Sequence, residues 1–556
     1  MLGPRRVAPI AAALLAAVMA GPALAAEDGE DRGRCAEAHE LVLKNGRIYT
    51  MDARNAVVSS VTIKDGRFAA VGRGSERESE PCTRTIDLHG RTAVPGLIDN
   101  HNHFVLLSLR PGHDTRLETA ASIADVQNAL RARVTTVPAG AWITSMGGWN
   151  PLNMAEKRFP TLAELDAAAP NNPVLLFQFF TGPGVTNSLG KAFFAARGIA
   201  VGATGTIAAN APSLAALNAL RAIQTFDDQK QGARDAMAYS AKMGVTTNVD
   251  MGGFVIPGTP DAQDSFEIDT LASWDPFTAY DALLALHQQK ELSVRLRIFF
   301  LTMDTNPDVP LVTQRVLNAF NHFGDDMMRT SGIGEFASSW PLFGNPFPTN
   351  FVNALSIVAQ RGWPFQQHSL STAEDTFTIQ SFQTVNATTP IADLHWSIAH
   401  VPTITQANID AAKSLGVGLA LHGFRYLTGG GGGPPYRTIV DSGIRAGAGS
   451  DSAQISTLDP WLMLYYMVTG KNGQGILVNA GQTLTRMEAL RLYTAANPWF
   501  FKEEDKLGSI EEGKLGDVVV LSENFFDEKQ VPDEAIKRLE SVLTVVGGTV
   551  VYDALH

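Results

Sequence analysis

"AVPGLIDNHNHFVLL" (93–107) runs from an apolar, β-branched segment opened by Pro95-Gly96 into two histidines two positions apart. On a strand, residues i and i+2 project to the same side, so His101 and His103 point together while Asn102 points away. Two neutral imidazoles on one face are half of a zinc ligand set. A strand that ends in such a pair at the mouth of a parallel barrel would sit where barrel active sites form. The question is whether the rest of the chain supplies the barrel and the missing ligands.

The middle of the chain has the right texture. Short apolar strand candidates fall at 94–101, 245–250, 294–301, 332–336, 364–368, 396–400, 417–421 and 444–451, separated by helical stretches such as "TQANIDAAKSLG". Eight strands alternating with helices are what a (β/α)8 TIM-type barrel requires, an α/β fold. A doubly wound open sheet is the alternative. "AWITSMGG" (141–148) and "VLLFQFF" (174–180) are surplus strands and read as part of an insertion over about 105–240 that caps the mouth. At the two ends the pattern changes: "LVLKNGRIYTMD" (41–52), "SSVTIKDGRFAAVG" (59–72), "GKLGDVVVLSEN" (513–524) and "VLTVVGGTVVYD" (542–553) are short strands with Asn-Gly, Asp-Gly and Gly-Gly turns. They read as a small antiparallel β-sandwich built from both chain ends, 36–94 and 501–556, around a barrel domain at 95–500.

Polar residues terminate several of the barrel candidates. "SGIGEF" places Glu335 at a strand end, "GWPFQQHS" His368, "HWSIAH" His400 and "IRAGAGSDS" Asp451. Strands one, four, five, six and eight would then send imidazoles and carboxylates to one rim. His422 ends the seventh strand in "GLALHGF" and faces the mouth as a candidate to polarise a substrate carbonyl or bind a carboxylate; Arg425 and Tyr426 follow it as candidates for an anionic substrate group. His395 has the opposite strand parity from His400 and is left out. Trp149 and Asn187, in "GGWNP" and "TGPGVTNS", are candidates to line the pocket from the insertion. The glycine run at 429–433 lacks the Lys-Ser/Thr of a P-loop and reads as a flexible lid.

Composition excludes several partner classes. The chain has 556 residues, 44 basic against 56 acidic, for a net charge of −12, and no basic stripe. Nucleic acid and anionic membranes are disfavoured partners. No segment after the first 26 residues is apolar for long enough to span a bilayer. Those 26 residues read as a secretory signal peptide: Arg5-Arg6, the apolar stretch "APIAAALLAAVMAG", then small residues at Ala23 and Ala25. The expected location is periplasmic or secreted, by the general or the twin-arginine route, and in an oxidising compartment Cys35 and Cys82 are expected to form one disulfide. A homo-oligomer stays open.

"VPGLIDNHNH" resembles the opening signature of the metal-dependent amidohydrolase superfamily, and "AGAGSDSAQISTLDPW" resembles its closing aspartate motif. "LTRMEALRLYTAANPWFFKEEDKLGSIEEGKLGDVVVLS" is similar to the corresponding region of amidohydrolase family 3, the YtcJ-like group that includes N-substituted formamide deformylases. The resemblance covers nearly the whole chain after the leader. It implies that His101, His103 and Asp451 bind the more buried metal, that His368 and His400 bind a second, and that Glu335 bridges the two. Many relatives carry a carboxylated lysine at the bridging strand. Glutamate is shorter, which implies either a tighter binuclear bridge or one firmly and one weakly held ion.

Zn²⁺ suits this imidazole-rich set best, and Mn²⁺, Fe²⁺ or Co²⁺ would bind similar ligands. The implied activity is hydrolysis of a C–N bond in a small-molecule amide, N-acyl amine or formamide by metal-activated water, with Asp451 as the base that becomes the acid. A lactone, carbamate or ester hydrolase using the same metals is the nearest alternative. A non-catalytic exported protein that binds metal or ligand for regulation is the alternative of another class.

Overall fold

The computed structural model describes residues 40–72, 82–253, 278–304, 306–339, 349–452 and 455–555. The first 26 residues, expected to form a leader, and Cys35 lie outside these residues. Cys82 is disulfide-bonded.

Eight parallel strands follow one another around a single sheet in chain order: Leu97–Asn102, Val245–Asp250, Arg295–Phe300, Met328–Glu335, Phe365–Ser369, Ser397–His400, Gly418–His422 and Ala446–Gly449. A doubly wound sheet would reverse direction in its middle, and this one does not. The first and last strands meet at the rim, where Asp451 N donates to the His101 carbonyl (2.8 Å) and His103 N to the Ser452 carbonyl (2.9 Å). The sheet therefore closes into a (β/α)8 barrel. All eight predicted strands occur, and helices such as Phe351–Gln360 and Thr372–Asn386 bury one apolar face against its outside.

The surplus strands belong to a separate five-stranded sheet, ordered Thr206–Ile207, Gly184–Thr186, Val174–Phe177, Ile143–Met146 and His113–Asp114. The helix Phe226–Met243 falls within the stretch expected to form the cap, yet its Ala233, Ala236, Met237 and Ala241 pack with Leu296 and Ile298 of the third barrel strand. It is one of the barrel's own outer helices. Its start is fixed by a Thr225 capping box and its end by Gly244 in the left-handed region.

Both chain ends build the β-sandwich. A four-stranded sheet (Arg67–Val71, Val61–Lys64, Glu40–Lys44, Thr83–Asp87) faces a six-stranded one that contains Thr92–Pro95 beside Val518–Leu521, and Leu43, Ile63, Val518 and Val545 fill the space between. Asp65-Gly66, both at positive φ, turn a tight hairpin. Asn45-Gly46 do not. Glu40–Lys44 pairs in the first sheet and Arg47–Tyr49 in the second, so this turn carries the chain across the sandwich, and Glu40–Lys44 runs parallel to Thr83–Asp87 where an antiparallel sheet was expected. No described helix is long and apolar enough to cross a membrane.

Candidate metal centre

Each predicted ligand sits where a barrel strand gives way to its loop. His101 lies on the first strand, and His103 just beyond it begins the short helix Phe104–Ser108. Glu335, His368, His400 and His422 lie at or near the ends of strands four to seven, and Asp451 is two residues past strand eight. His400 and Asp451 adopt positive φ (69° and 54°), the turn that swings the chain off the strand while leaving each side chain over the barrel mouth.

The side chains converge. Glu335 divides its two oxygens: Oε1 is 3.4 Å from His103 Nε2, whereas Oε2 is 2.7 Å from His368 Nδ1, 3.1 Å from His400 Nε2 and 3.6 Å from His101 Nε2. Asp451 divides likewise, with Oδ1 3.6 Å from His101 Nε2 and 3.5 Å from His103 Nε2, and Oδ2 3.5 Å from His400 Nδ1. Two three-residue sets with cation-binding spacing result, His101/His103/Glu335 and Glu335/His368/His400, sharing the glutamate. His101, His103, Glu335, His400 and Asp451 are all at most 4% exposed, and His368, at 9%, is the most open.

The rings are oriented from behind. Gln366, two residues before His368 on the same strand, contacts His101 Nδ1 through its Oε1, and the Gly252 carbonyl lies 2.7 Å from His103 Nδ1. With those nitrogens committed to carrying protons, both Nε2 atoms face the carboxylates and are the positions that a cation would take. Among the described residues, the buried His101 Nε2 and His368 Nε2 have no hydrogen-bond partner. Burial disfavours a charged imidazole, yet Asp451 and Glu335 outweigh it and raise the His103 pKa well above its ordinary value; Glu335 does the same for His368. Burial also opposes ionisation of Glu335 and Asp451, but the imidazoles around them hold both well below the usual carboxylate range. His400 goes the other way, lowered to about 4 by burial and by His368. A buried pocket that holds two ionised carboxylates among imidazoles, some of which take up protons to balance that charge, is chemically suited to a divalent cation that would take the place of those protons.

The other sequence candidates have different surroundings. His422 is fully buried, with Nδ1 2.8 Å from His400 Nδ1 and its ring 4.2 Å from that of His101, and it forms a third cation-spaced set with those two. Its environment is the floor of the cluster. Trp149 lies in the core of the inserted layer, packed on Phe159 and donating to the Phe177 carbonyl, while Asn187 spends its amide on Val174, Gly190, Ala169 and Asn172. His395 stacks on Trp499, away from the mouth. The glycine run is pinned at its end, Gly433 N to Asn479 Oδ1 and Tyr466 Oη to the Gly433 carbonyl, so Gly433 is an anchored point of the rim. Gln366, Gly252 and the His422–His400 contact escaped the sequence reading. Strand parity with His368 is the one feature that could have singled out Gln366, and it says nothing without the position of His101.

The barrel, its sandwich and a buried histidine–carboxylate cluster at the strand ends define a metal-dependent hydrolase class. A model of the amidohydrolase family matches residues 84–552, and the chain belongs to that family. Among individual relatives, the N-substituted formamide deformylase of Arthrobacter pascens is 32% identical over 155 residues, 27% of this chain and 28% of that one. Protein LONG AFTER FAR-RED 3 of Arabidopsis thaliana is 23% identical over 92% of this chain and 91% of its own length. Of solved structures, the atrazine chlorohydrolase of Arthrobacter aurescens TC1, complexed with zinc, superimposes with a TM-score of 0.55 at 16% identity, covering 93% of this chain and 96% of that one.

Proposed function

We propose that this protein is an exported hydrolase of a C–N bond in an amide, N-acyl amine or formamide, with water as the attacking group. The observation that carries the reading is the pair of cation-spaced sets sharing Glu335, with Asp451 against both. His101, His103 and Asp451 would hold one divalent ion, His368 and His400 a second, and Glu335 both, with Zn²⁺ the best match to the donors. Such an ion, when bound, acts as a Lewis acid on the carbonyl and brings the pKa of water from 15.7 towards roughly 7.

The chain's own residues do the rest. Asp451, ionised and oriented by His101, His103 and His400, accepts the proton of the attacking water and passes it to the leaving nitrogen as the C–N bond breaks, giving a carboxylic acid, which then ionises, and an amine. Gln366 and the Gly252 carbonyl keep the two first-strand imidazoles in the tautomer that presents Nε2. The formamide deformylase relative, matched over part of its length, supports a C–N bond as the target. The N-terminal leader supports export.

The test is metal analysis of purified protein together with assays of wild type and Asp451→Asn on N-acyl amines, formamides, lactones and carbamates. Stoichiometric metal with amide turnover that falls by two or more orders of magnitude in the variant is expected. Turnover of lactones alone, or an unchanged variant, would overturn the bond type or the base respectively. N-terminal sequencing of the mature protein tests cleavage of the leader.

A further inference from the structure

Beside the histidine cluster, the loop after the seventh strand and the loop after the helix Pro460–Thr469 each present nitrogen donors to the glycine run at 429–431. Arg425, half-buried, stands three residues beyond His422 with its guanidinium 4.7 Å above the Phe424 ring, and that ring is 6.2 Å from the His400 ring. Among the described residues the buried Arg425 Nε has no hydrogen-bond partner, and no carboxylate pairs with the guanidinium. Asn472 is 1% exposed. Its Oδ1 accepts the backbone N–H groups of Gln474 (3.0 Å) and Ile476 (2.9 Å), which fixes the amide so that Nδ2 points the other way, at Gly429.

The glycines show how these groups are disposed. A Cβ at Gly429 would lie 3.1 Å from Asn472 Nδ2 and 3.9 Å from Gln474 Nε2, one at Gly430 would meet only Arg425 Nη1 at 3.9 Å, and one at Gly431 would meet nothing within 4 Å. Three N–H-bearing groups thus border open space along consecutive glycines. The two loops are tied to each other by Gly473 N donating to the Tyr426 carbonyl (2.8 Å), and the inserted layer joins them through Asn150 Nδ2 to the Leu427 carbonyl (3.2 Å).

A half-buried arginine whose Nε is buried and which has no acid partner among the described residues, beside an amide N–H fixed to face the same glycines, is complemented by an anion. A planar carboxylate also fits the guanidinium fork. We infer that this rim binds a carboxylate carried by the substrate, so that the class turned over is N-acylated amino acids or similar acyl amines bearing an acid group. The inference rests on the hydrolase reading for turnover, although the anion site itself does not need it.

Two readouts keep these apart. Calorimetry with 3-phenylpropionate and its neutral counterpart 3-phenylpropanol measures anion recognition in wild type, Arg425→Gln and Asn472→Asp; the aspartate can still accept both backbone bonds while placing a negative charge at the spot. Wild type is expected to prefer the carboxylate by about tenfold or more, and both variants to lose that preference. Kinetics with N-acetylphenylalanine and its carboxamide should show the same loss as a rise in KM for the acid in both variants. Equal affinity of wild type for the two probes, or variants that retain the preference, would overturn the anion site. Arg425-dependent binding of phenylpropionate with no amide turnover by wild type would leave the site standing and overturn the hydrolase reading.

Discussion

Glu335→Gln separates a shared carboxylate from a mere neighbour. Glutamine keeps the volume and one carbonyl oxygen, but its second group is an N–H2 that cannot donate a lone pair to a cation. Glu335 Oε2 lies 2.7 Å and 3.1 Å from nitrogens of His368 and His400 while Oε1 faces His103, so whichever way the amide turns, one side of the cluster loses its oxygen. Two unit charges about 4 Å apart interact by about 4 kcal/mol at an effective dielectric of about 20. Part of that is offset because a carboxylate only 1% exposed no longer has to be kept ionised. A net loss of about 3 kcal/mol corresponds to a fall of roughly a hundredfold in cation affinity. Metal content after dialysis against a graded chelator, read by mass spectrometry of the metals, should show the variant releasing at least one ion at far lower chelator concentration. Two ions held with affinities within about threefold of wild type would refute the bridging role.

Beneath the barrel, Glu503 binds Arg297 through Oε2 (2.8 Å) and Arg329 through Oε1 (2.7 Å), and the Arg297 side chain is wholly buried. Glu503→Gln should cost about 3–5 kcal/mol in urea unfolding, because it strands a buried guanidinium; a loss under about 1 kcal/mol would contradict the pairing. Asp375, buried behind the fifth strand, accepts among the described residues only from Ser369 Oγ (2.6 Å), and burial raises its pKa from 3.8 to about 7. The folded protein then keeps a proton that the unfolded chain gives up, so stability contributed by this group is complete below about pH 4, falls as pH rises and levels off above about pH 7, by at most about 4 kcal/mol. Asp375→Asn should flatten that slope in unfolding curves taken from pH 5 to pH 8; parallel curves for the two proteins would refute it.

What the sequence disclosed follows from which interactions are local. Strand parity placed His101 and His103 on one side, and strand-end position placed Glu335, His368, His400 and Asp451 on one rim, because both depend only on the period of a strand and the direction of a parallel barrel. The same logic put His422 at the mouth but could not reveal its depth, which is set by the rings of His101 and His400 arriving from other strands. Gln366 was silent because a glutamine on a strand becomes informative only once a histidine 265 residues away is known to lie beside it. Asn45-Gly46 misled for the converse reason. The pair favours a turn, and a turn forms, but the sheet that each flanking strand joins is decided by partners far along the chain.

The rim contacts that close the barrel also hold the site, and this has a measurable consequence. Asp99, on the first strand, accepts from Ser450 Oγ (2.5 Å), Ser450 N (2.9 Å) and His101 N (3.2 Å), so one buried carboxylate fastens the eighth strand to the first immediately before both His101 and Asp451. Asp99→Ala removes three hydrogen bonds and leaves buried donors without partners, a loss of about 3 kcal/mol or more by typical values. Asp99→Asn keeps one oxygen for the backbone donors and offers an amide to the Ser450 hydroxyl, which can turn and accept. If the group acts as a fastener, the alanine variant loses stability and cation affinity together, whereas the asparagine variant recovers most of both. Equal damage in the two variants would mean that the charge of Asp99, felt at the histidines, matters more than its grip on the seam. Loss of stability in the alanine variant with cation affinity intact would show that closing the barrel and shaping the ligand set are independent.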